Sequence, residues 1–154
     1  GGSISGSGSV QQVSGTTVLT GTSAHTGGTT ISGGTLQLGI DNALTMAGAL
    51  AINGGTFDLN GNAQTVGALS GTGGGVTLNG GSLTVNQSGN TTYAGIVSGA
   101  GSFIKDGSGT LILTGANTNA NTMPPAAPIN APRSAITVAP GVRRRDHCHR
   151  NRSR

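Results

Sequence analysis

Along residues 1–115, apolar side chains fall at every second position in short runs, and glycine bounds each run. Five strings carry the pattern: SGTTVLTG at 14–21, SGGTLQLG at 32–39, NGGTFDLNG at 53–61, NGGSLTVN at 79–86 and GSGTLILTG at 107–115. In them Leu36/Leu38, Phe57/Leu59, Leu83/Val85 and Leu111/Leu113 point one way, and Gln37, Asp58, Thr84 and Ile112 point the other. A period of two is the mark of a strand with one buried face. Measured on a matching glycine (Gly15, Gly34, Gly55, Gly81, Gly109), the spacings of the strings are 19, 21, 26 and 28. That drift predicts loops of variable length between fixed strands. Further β-prone pieces lie between the strings: TTIS at 29–32, GVTL at 75–78, YAGIV at 93–97 and SFIK at 102–105.

Self-similarity at a period of roughly 20–50 residues is the sequence signature of a solenoid. One unit cannot bury its apolar side alone, whereas stacked units share a continuous core. The expected architecture is all-β: a right-handed parallel β-helix (solenoid) of about five rungs, followed by a disordered tail. At about 4.8 Å per rung the column would be about 25 Å long. Outward Thr, Asn and Ser would form ladders that keep the surface polar without charge. A Gly/Ser/Thr-rich disordered linker is the competing reading, but a linker lacks the regular Leu, Val and Ile pairs. Residues 1–9, GGSISGSGS, are expected to fray.

Composition narrows the choice. Thirty residues are Gly, aromatic residues make up 2% and charged residues 8%, against roughly 25% charged in an ordinary soluble domain. So few large side chains would leave a thick sandwich or a helical bundle poorly filled. Helix is disfavoured, because Gly costs about 1 kcal/mol per helical residue relative to Ala and Thr, Ser and Asn are weak formers. The one stretch that competes, ALTMAGALAI at 43–52, is interrupted by Gly48, too short to span a membrane, and reads as two short strands.

The formal net charge of +4 conceals two segments. Residues 1–132 set Lys105 against Asp41, Asp58 and Asp106, a net −2; residues 133–154 set seven Arg against Asp146, a net +6. All five Pro lie at or after Pro124, and all but one Gly at or before Gly115. The expected organisation is therefore β-helical repeats over 1–118 and a disordered Pro/Arg-rich tail over 119–154.

HTGGTTISGGTLQLG, His25 to Gly39, resembles the second half of the passenger-associated transport repeat of bacterial autotransporters, also described as an autotransporter-associated β-strand repeat. GSFIKDGSGTLILTGANT, residues 101–118, resembles the first half of the next copy. In that family a Gly-Ala-Asn-Thr run passes into Tyr-Thr-Gly-Gly-Thr-Thr, and TGTSAHTGGTT at 20–30 makes this passage in diverged form. The resemblance is specific at these two places, looser between them, and covers about residues 5–118. It implies a β-helical passenger, exported across both membranes, with a C-terminal outer-membrane β-barrel translocator as partner in the parent protein. After Gly115-Ala116-Asn117-Thr118 the expected run gives way to a patternless Pro- and Arg-rich stretch. Translation in a shifted frame or a truncated gene would give such a tail; a genuine basic tail is the other reading.

Chemistry is sparse. No Gly-x-Ser-x-Gly elbow, Gly-x-Gly-x-x-Gly turn or phosphate-binding loop occurs. General acid–base work needs groups paired within reach of one bond, and Asp41, Asp58 and Asp106 fall at different repeat phases. Asp58 reads as a solvated surface residue, Asp106-Gly107 as a turn, and His25 as a surface histidine in a turn-like run. His147-Cys148-His149 cannot all point at one ion, and a structural zinc site draws spaced pairs from two places. The Arg-rich tail lacks aromatic residues to stack bases, so no nucleic acid is expected. Cys148 is the single cysteine. The expectation is a non-enzyme with no catalytic, cofactor-binding or metal site and no cofactor: a secreted or cell-surface stalk or adhesin-like module of the outer membrane, contacting a host surface or itself. The alternative is a β-helical polysaccharide-binding or polysaccharide-degrading enzyme fragment, which requires a clustered acidic or basic face.

Overall fold

The computed structural model describes residues 2–118 and the backbone of residues 136–138. Over residues 4–113 the chain winds through six turns, the first five passing three faces in the same order and the sixth the first two. The first turn holds β1 (Ile4–Gly6), β2 (Val10–Gln12) and β3 (Thr16–Leu19), and the second β4 (Ser23–His25), β5 (Thr29–Ile31) and β6 (Thr35–Leu38). The third has only β7 (Ala49–Ile52) and β8 (Thr56–Asp58); the fourth has β9 (Ala63–Val66), β10 (Ala68–Ser70) and β11 (Gly75–Thr77). The fifth has β12 (Ser82–Asn86), β13 (Thr91–Tyr93) and β14 (Ile96–Ser98), and the sixth β15 (Ser102–Asp106) and β16 (Leu111–Leu113). β17 (Ile136–Val138) runs parallel beside β16.

Every named pairing is parallel, as stacking of like strands from successive turns requires. The first face carries β1 on β4 and, higher up, β9, β12 and β15; the second β2, β5, β7 and β10, continued through a Gly71–Tyr93 bridge to β13 and β16; the third β3, β6, β8, β11 and β14. The all-β parallel solenoid expected from the sequence is what forms, with about six turns where five rungs were expected. No helix occurs among the described residues.

Ladder register explains the miscount. On the third face Thr16, Thr35, Thr56, Gly75 and Ile96 are successive partners, so the true repeat alternates between 19 and 21 along the sequence. The strings at 79–86 and 107–115 look like the first three but lie on the first and second faces, in β12 and β16. Aligning them with the third-face strings produced the apparent drift. The turns are nearly uniform.

The alternation fills the bore as the pattern predicts. Leu36, Leu38, Phe57, Leu59, Leu83, Val85, Leu111 and Leu113 are all fully buried, in one core cluster with Ile31, Leu50, Ile52, Leu69, Val76, Leu78, Val97 and Phe103. Burying one such side chain contributes about 1.5–3 kcal/mol, and stacking sets each against its counterpart one turn away. Gln37, Asp58, Thr84 and Ile112 are only partly buried and face outward.

Three local expectations give way. Ile4–Gly6, expected to fray, pairs with Ser23–His25. YAGIV at 93–97 is a corner rather than one strand: β13 ends at Tyr93 and β14 begins at Ile96. In ALTMAGALAI only the second half is a strand. Its first half occupies the first face without strand pairing, and the Gln64 side chain substitutes for the missing ladder. Gln64 Oε1 accepts from Leu44 N at 2.9 Å and its Nε2 donates to Leu44 O at 3.0 Å.

Candidate functional site

The surface available for contact consists of the outward positions of the three faces, the corners between them and the edge strands of the first turn. On the third face two outward columns run side by side. One is Thr16–Thr35–Thr56, continued by Gly75 and Ile96; the other is Val18–Gln37–Asp58–Thr77–Ser98. Register in a parallel ladder puts like residues about 4.8 Å apart along the axis, so the columns are regular rows of mostly hydroxyl and amide groups.

Asp58 lies in the second of these rows, as expected for an outward residue, but its carboxylate is engaged. Gln37 Nε2 donates to Oδ2 and Asn79 Nδ2 to Oδ1, each at 2.9 Å, and the Asn60 backbone N–H donates to Oδ1 at 2.9 Å. The carboxylate thus links the turn below to the corner of the turn above. Asp41 accepts from the backbone N–H of Ala63 at 2.8 Å, tying the third turn to the fourth. Asp106 accepts from Gly107 N–H at 2.8 Å in the turn read from the sequence. All three acids therefore cap backbone donors or bind ladder amides, work that needs no partner carboxylate. Among the described residues no three His, Cys, Asp or Glu side chains gather as a metal-binding group.

His25 is a correction. It is 2% exposed, not on the surface, because it occupies an inward position of β4, with Gly6 as its register partner in the adjacent turn. Its Nε2 lies 3.0 Å from Thr29 Oγ1, and its Nδ1 has no partner among the described residues. Ser23, two positions earlier on the same inward side, is also buried with its hydroxyl unpartnered among them. With Gln12 and Thr29 they set four polar side chains beside Leu19, Ile31, Leu36 and Leu38 in the first two turns of the bore, while the buried polar side chains beyond are Gln64, Gln87 and Lys105.

Those later polar groups brace corners. Gln87 Nε2 donates to Gly89 O at 3.0 Å and Thr110 O at 2.9 Å, while its Oε1 accepts from Leu69 N at 3.3 Å. Gln12 Nε2 donates to Ser14 O and Gly15 O. Lys105, in an inward register position beside Val85, turns its ammonium back onto the carbonyls of Asp106 and Gly107. Desolvation lowers the Lys105 pKa, and the nearby Asp106 charge partly opposes the shift. Tyr93 is fully buried with its hydroxyl unpartnered among the described residues, and desolvation raises its phenol pKa. It fits because Gly95 lies against the ring: a Cβ there would sit 2.2 Å from the phenol oxygen. Sequence reasoning did not single out these braces or Tyr93. The signal available for Tyr93 was Gly95, a small residue close behind the chain's single tyrosine.

A shallow, open depression of about 750 Å³ runs along the corner between the first and second faces, lined by Met46, Ala47, Thr65, Gly67, Asn86, Ser88, Gly107 and Ser108. Its lining carries no charged side chain; the polar side chains are those of Thr65, Asn86, Ser88 and Ser108. The sequence readings on His147-Cys148-His149, on the Arg-rich stretch and on a tail over 119–154 lie outside the described residues, apart from β17.

The family model of the passenger-associated-transport-repeat matches residues 14–38 and, again, residues 103–122. The first match runs from the corner before β3 to the end of β6, one full turn of the solenoid. The second starts inside β15 and includes β16. Neither the curated proteins nor the solved structures give a match to this chain.

Proposed function

We propose, for a chain that carries the passenger-associated transport repeats of autotransporters, that it is a non-enzymatic, extracellular part of a passenger: a stalk that projects other modules and presents an adhesin-like polar surface. The observation that carries this reading is the use made of the acids. Asp41, Asp58 and Asp106 each satisfy backbone or amide donors within the solenoid, which leaves no free carboxylate pair facing a groove among the described residues. A β-helix whose outward rows are rich in Thr, Ser, Asn and Gln offers weak, repeated hydrogen bonding over a long surface. That suits avidity at a cell surface or between copies more than the capture of one small substrate. The family supports a β-barrel translocator as partner in the parent protein, with a secreted or surface location.

The test sets the stalk against the polysaccharide enzyme. Acidic and neutral polysaccharides are incubated with the purified chain, and new chain ends are measured alongside retention of chain-coated beads on cell surfaces. The stalk reading expects no new ends above a heat-treated control. Sustained release of chain ends that disappears with Asp58→Asn would contradict it and favour the enzyme.

A further inference from the structure

Three Asn–Gly pairs occur in the chain, Asn53-Gly54, Asn60-Gly61 and Asn79-Gly80, and all three asparagines are exposed. By sequence they are equivalent candidates for intramolecular cyclisation, since glycine leaves its own amide nitrogen unhindered. The solenoid makes them unequal. We propose that Asn60-Gly61 is a self-modification site, converting to an aspartate or isoaspartate linkage ahead of the other two.

The reaction needs only water. The Gly61 amide nitrogen, losing its proton to base, attacks Asn60 Cγ and forms a new C–N bond. The Cγ–Nδ2 bond breaks, and ammonia leaves with the returned proton. Water then opens the five-membered imide at either carbonyl, giving aspartate at position 60 or its β-linked isomer, with no change of oxidation state.

Gly61 N–H is the nucleophile that nothing among the described residues holds. Gly80 N–H donates to Ala100 O at 2.6 Å and Gly54 N–H to Ile31 O at 3.2 Å, while no acceptor among those residues faces Gly61 N–H. The electrophilic side chains differ too. Asn79 Nδ2 is tied to the Asp58 carboxylate at 2.9 Å, and Asn53 Oδ1 accepts from Thr72 N–H and hydroxyl at 3.3 and 3.4 Å. Asn60 Nδ2 donates to Leu38 O alone among them, at 3.3 Å. Asn60 and Asn79 sit at equivalent corners: both have positive φ, 48° and 46°, and each is followed by a positive-φ glycine. The Asn79 turn is closed by Gly81 N–H donating to Leu78 O, and the Asn60 turn by Asn62 N–H and Asn62 Nδ2 both donating to Leu59 O, with Asn62 Nδ2 also reaching Asn60 O and Asn60 N–H held by Asp58 Oδ1. Ring closure consumes the glycine N–H and the asparagine side-chain amide, and these two reacting groups give up one bond at Asn60, two at Asn79 and three at Asn53. The product places a second carboxylate beside Asp58 and loses the Asn60–Leu38 bond, loosening the corner between β8 and β9.

The experiment ages the folded chain in mildly alkaline buffer and follows, by peptide mapping and mass spectrometry, the exchange of amide for acid at positions 53, 60 and 79. One native hydrogen bond corresponds to roughly fivefold in the open population, so position 60 is expected to convert at least about fivefold faster than either of the others. The same chain in denaturant is expected to convert at all three sites alike, which separates the effect of the fold from that of local sequence. Equal rates in the folded chain, or Asn53 or Asn79 leading, would overturn the proposal. The ranking rests on corner geometry and stands apart from the stalk reading.

Discussion

At the residue scale the solenoid depends on what cannot be placed at a corner. Gly15, Gly34, Gly55 and Gly74 recur at the corner between the second and third faces with φ of 66–69°. A Cβ at Gly34 would lie 2.3 Å from Gly15 O, and one at Gly55 2.5 Å from Gly34 O. Left-handed backbone costs a non-glycine residue about 1–2 kcal/mol, and a Cβ pressed against a backbone carbonyl adds the cost of separating two turns. Gly34→Ala is therefore expected to destabilise by at least about 3 kcal/mol. Gly80→Ala, with φ 87° and open space around its Cβ, should lose only the backbone part, about 1–2 kcal/mol. Urea unfolding of both variants measures the difference, and equal losses would refute the stacked-carbonyl account.

Tyr93 gives the fold a pH dependence of definite sign. Burial raises its phenol above the ordinary value of 10.0. Above that pH the unfolded chain releases a proton that the folded chain keeps. This contribution to stability is therefore intact below about pH 10 and is lost as pH rises beyond it, by about 1.4 kcal/mol per pH unit. The chain has one tyrosine, so tyrosinate absorbance reports this site alone. Its ionisation should coincide with loss of the β circular dichroism signal. Smooth ionisation near pH 10 with the fold intact would place the ring in solvent.

At the scale of elements, strand pairing is local to adjacent turns, which makes stability approximately a sum over turns and their interfaces. Removing residues 56–74 joins Gly55 to Gly75 with both corners in register, since Gly75 pairs with Thr56. The shortened chain is expected to keep a parallel β spectrum and to unfold in urea with a slope smaller by roughly one sixth, because the slope follows the surface exposed. Loss of cooperative unfolding would mean that the turns are not interchangeable. The inward and outward positions within strands were legible in the sequence, because a period of two admits one reading once Leu36 and Leu38 are assigned to the core. Which face a strand occupies was not. NGGSLTVN and GSGTLILTG share corner glycines and alternation with the third-face strings, and only pairing across turns separates them. His25 was misread for a related reason: glycines and threonines around it signal a turn, whereas its inward direction is fixed by the pairing of β4 with β1. Gln64 bonding to Leu44 replaces a ladder with a side chain, and no periodicity records that.

For the whole molecule, the candidate surface was legible in kind but not in detail. The scarcity of charge predicted polar outward rows, and the structure has them. The engagement of Asp41 and Asp58 by neighbouring turns emerged only once successive turns were stacked. That stacking is the claim on which the rest depends. The most direct test is the distance between spin labels at positions 16 and 96 with Cys148 replaced by Ser. These positions are distant in the chain but four ladder steps apart on the third face. Four steps of about 4.8 Å predict a narrow distribution centred at about 20 Å. A broad distribution around roughly 50 Å, the span of about 5–6 Å × √n for a flexible Gly-rich chain between the two labels, would contradict the solenoid.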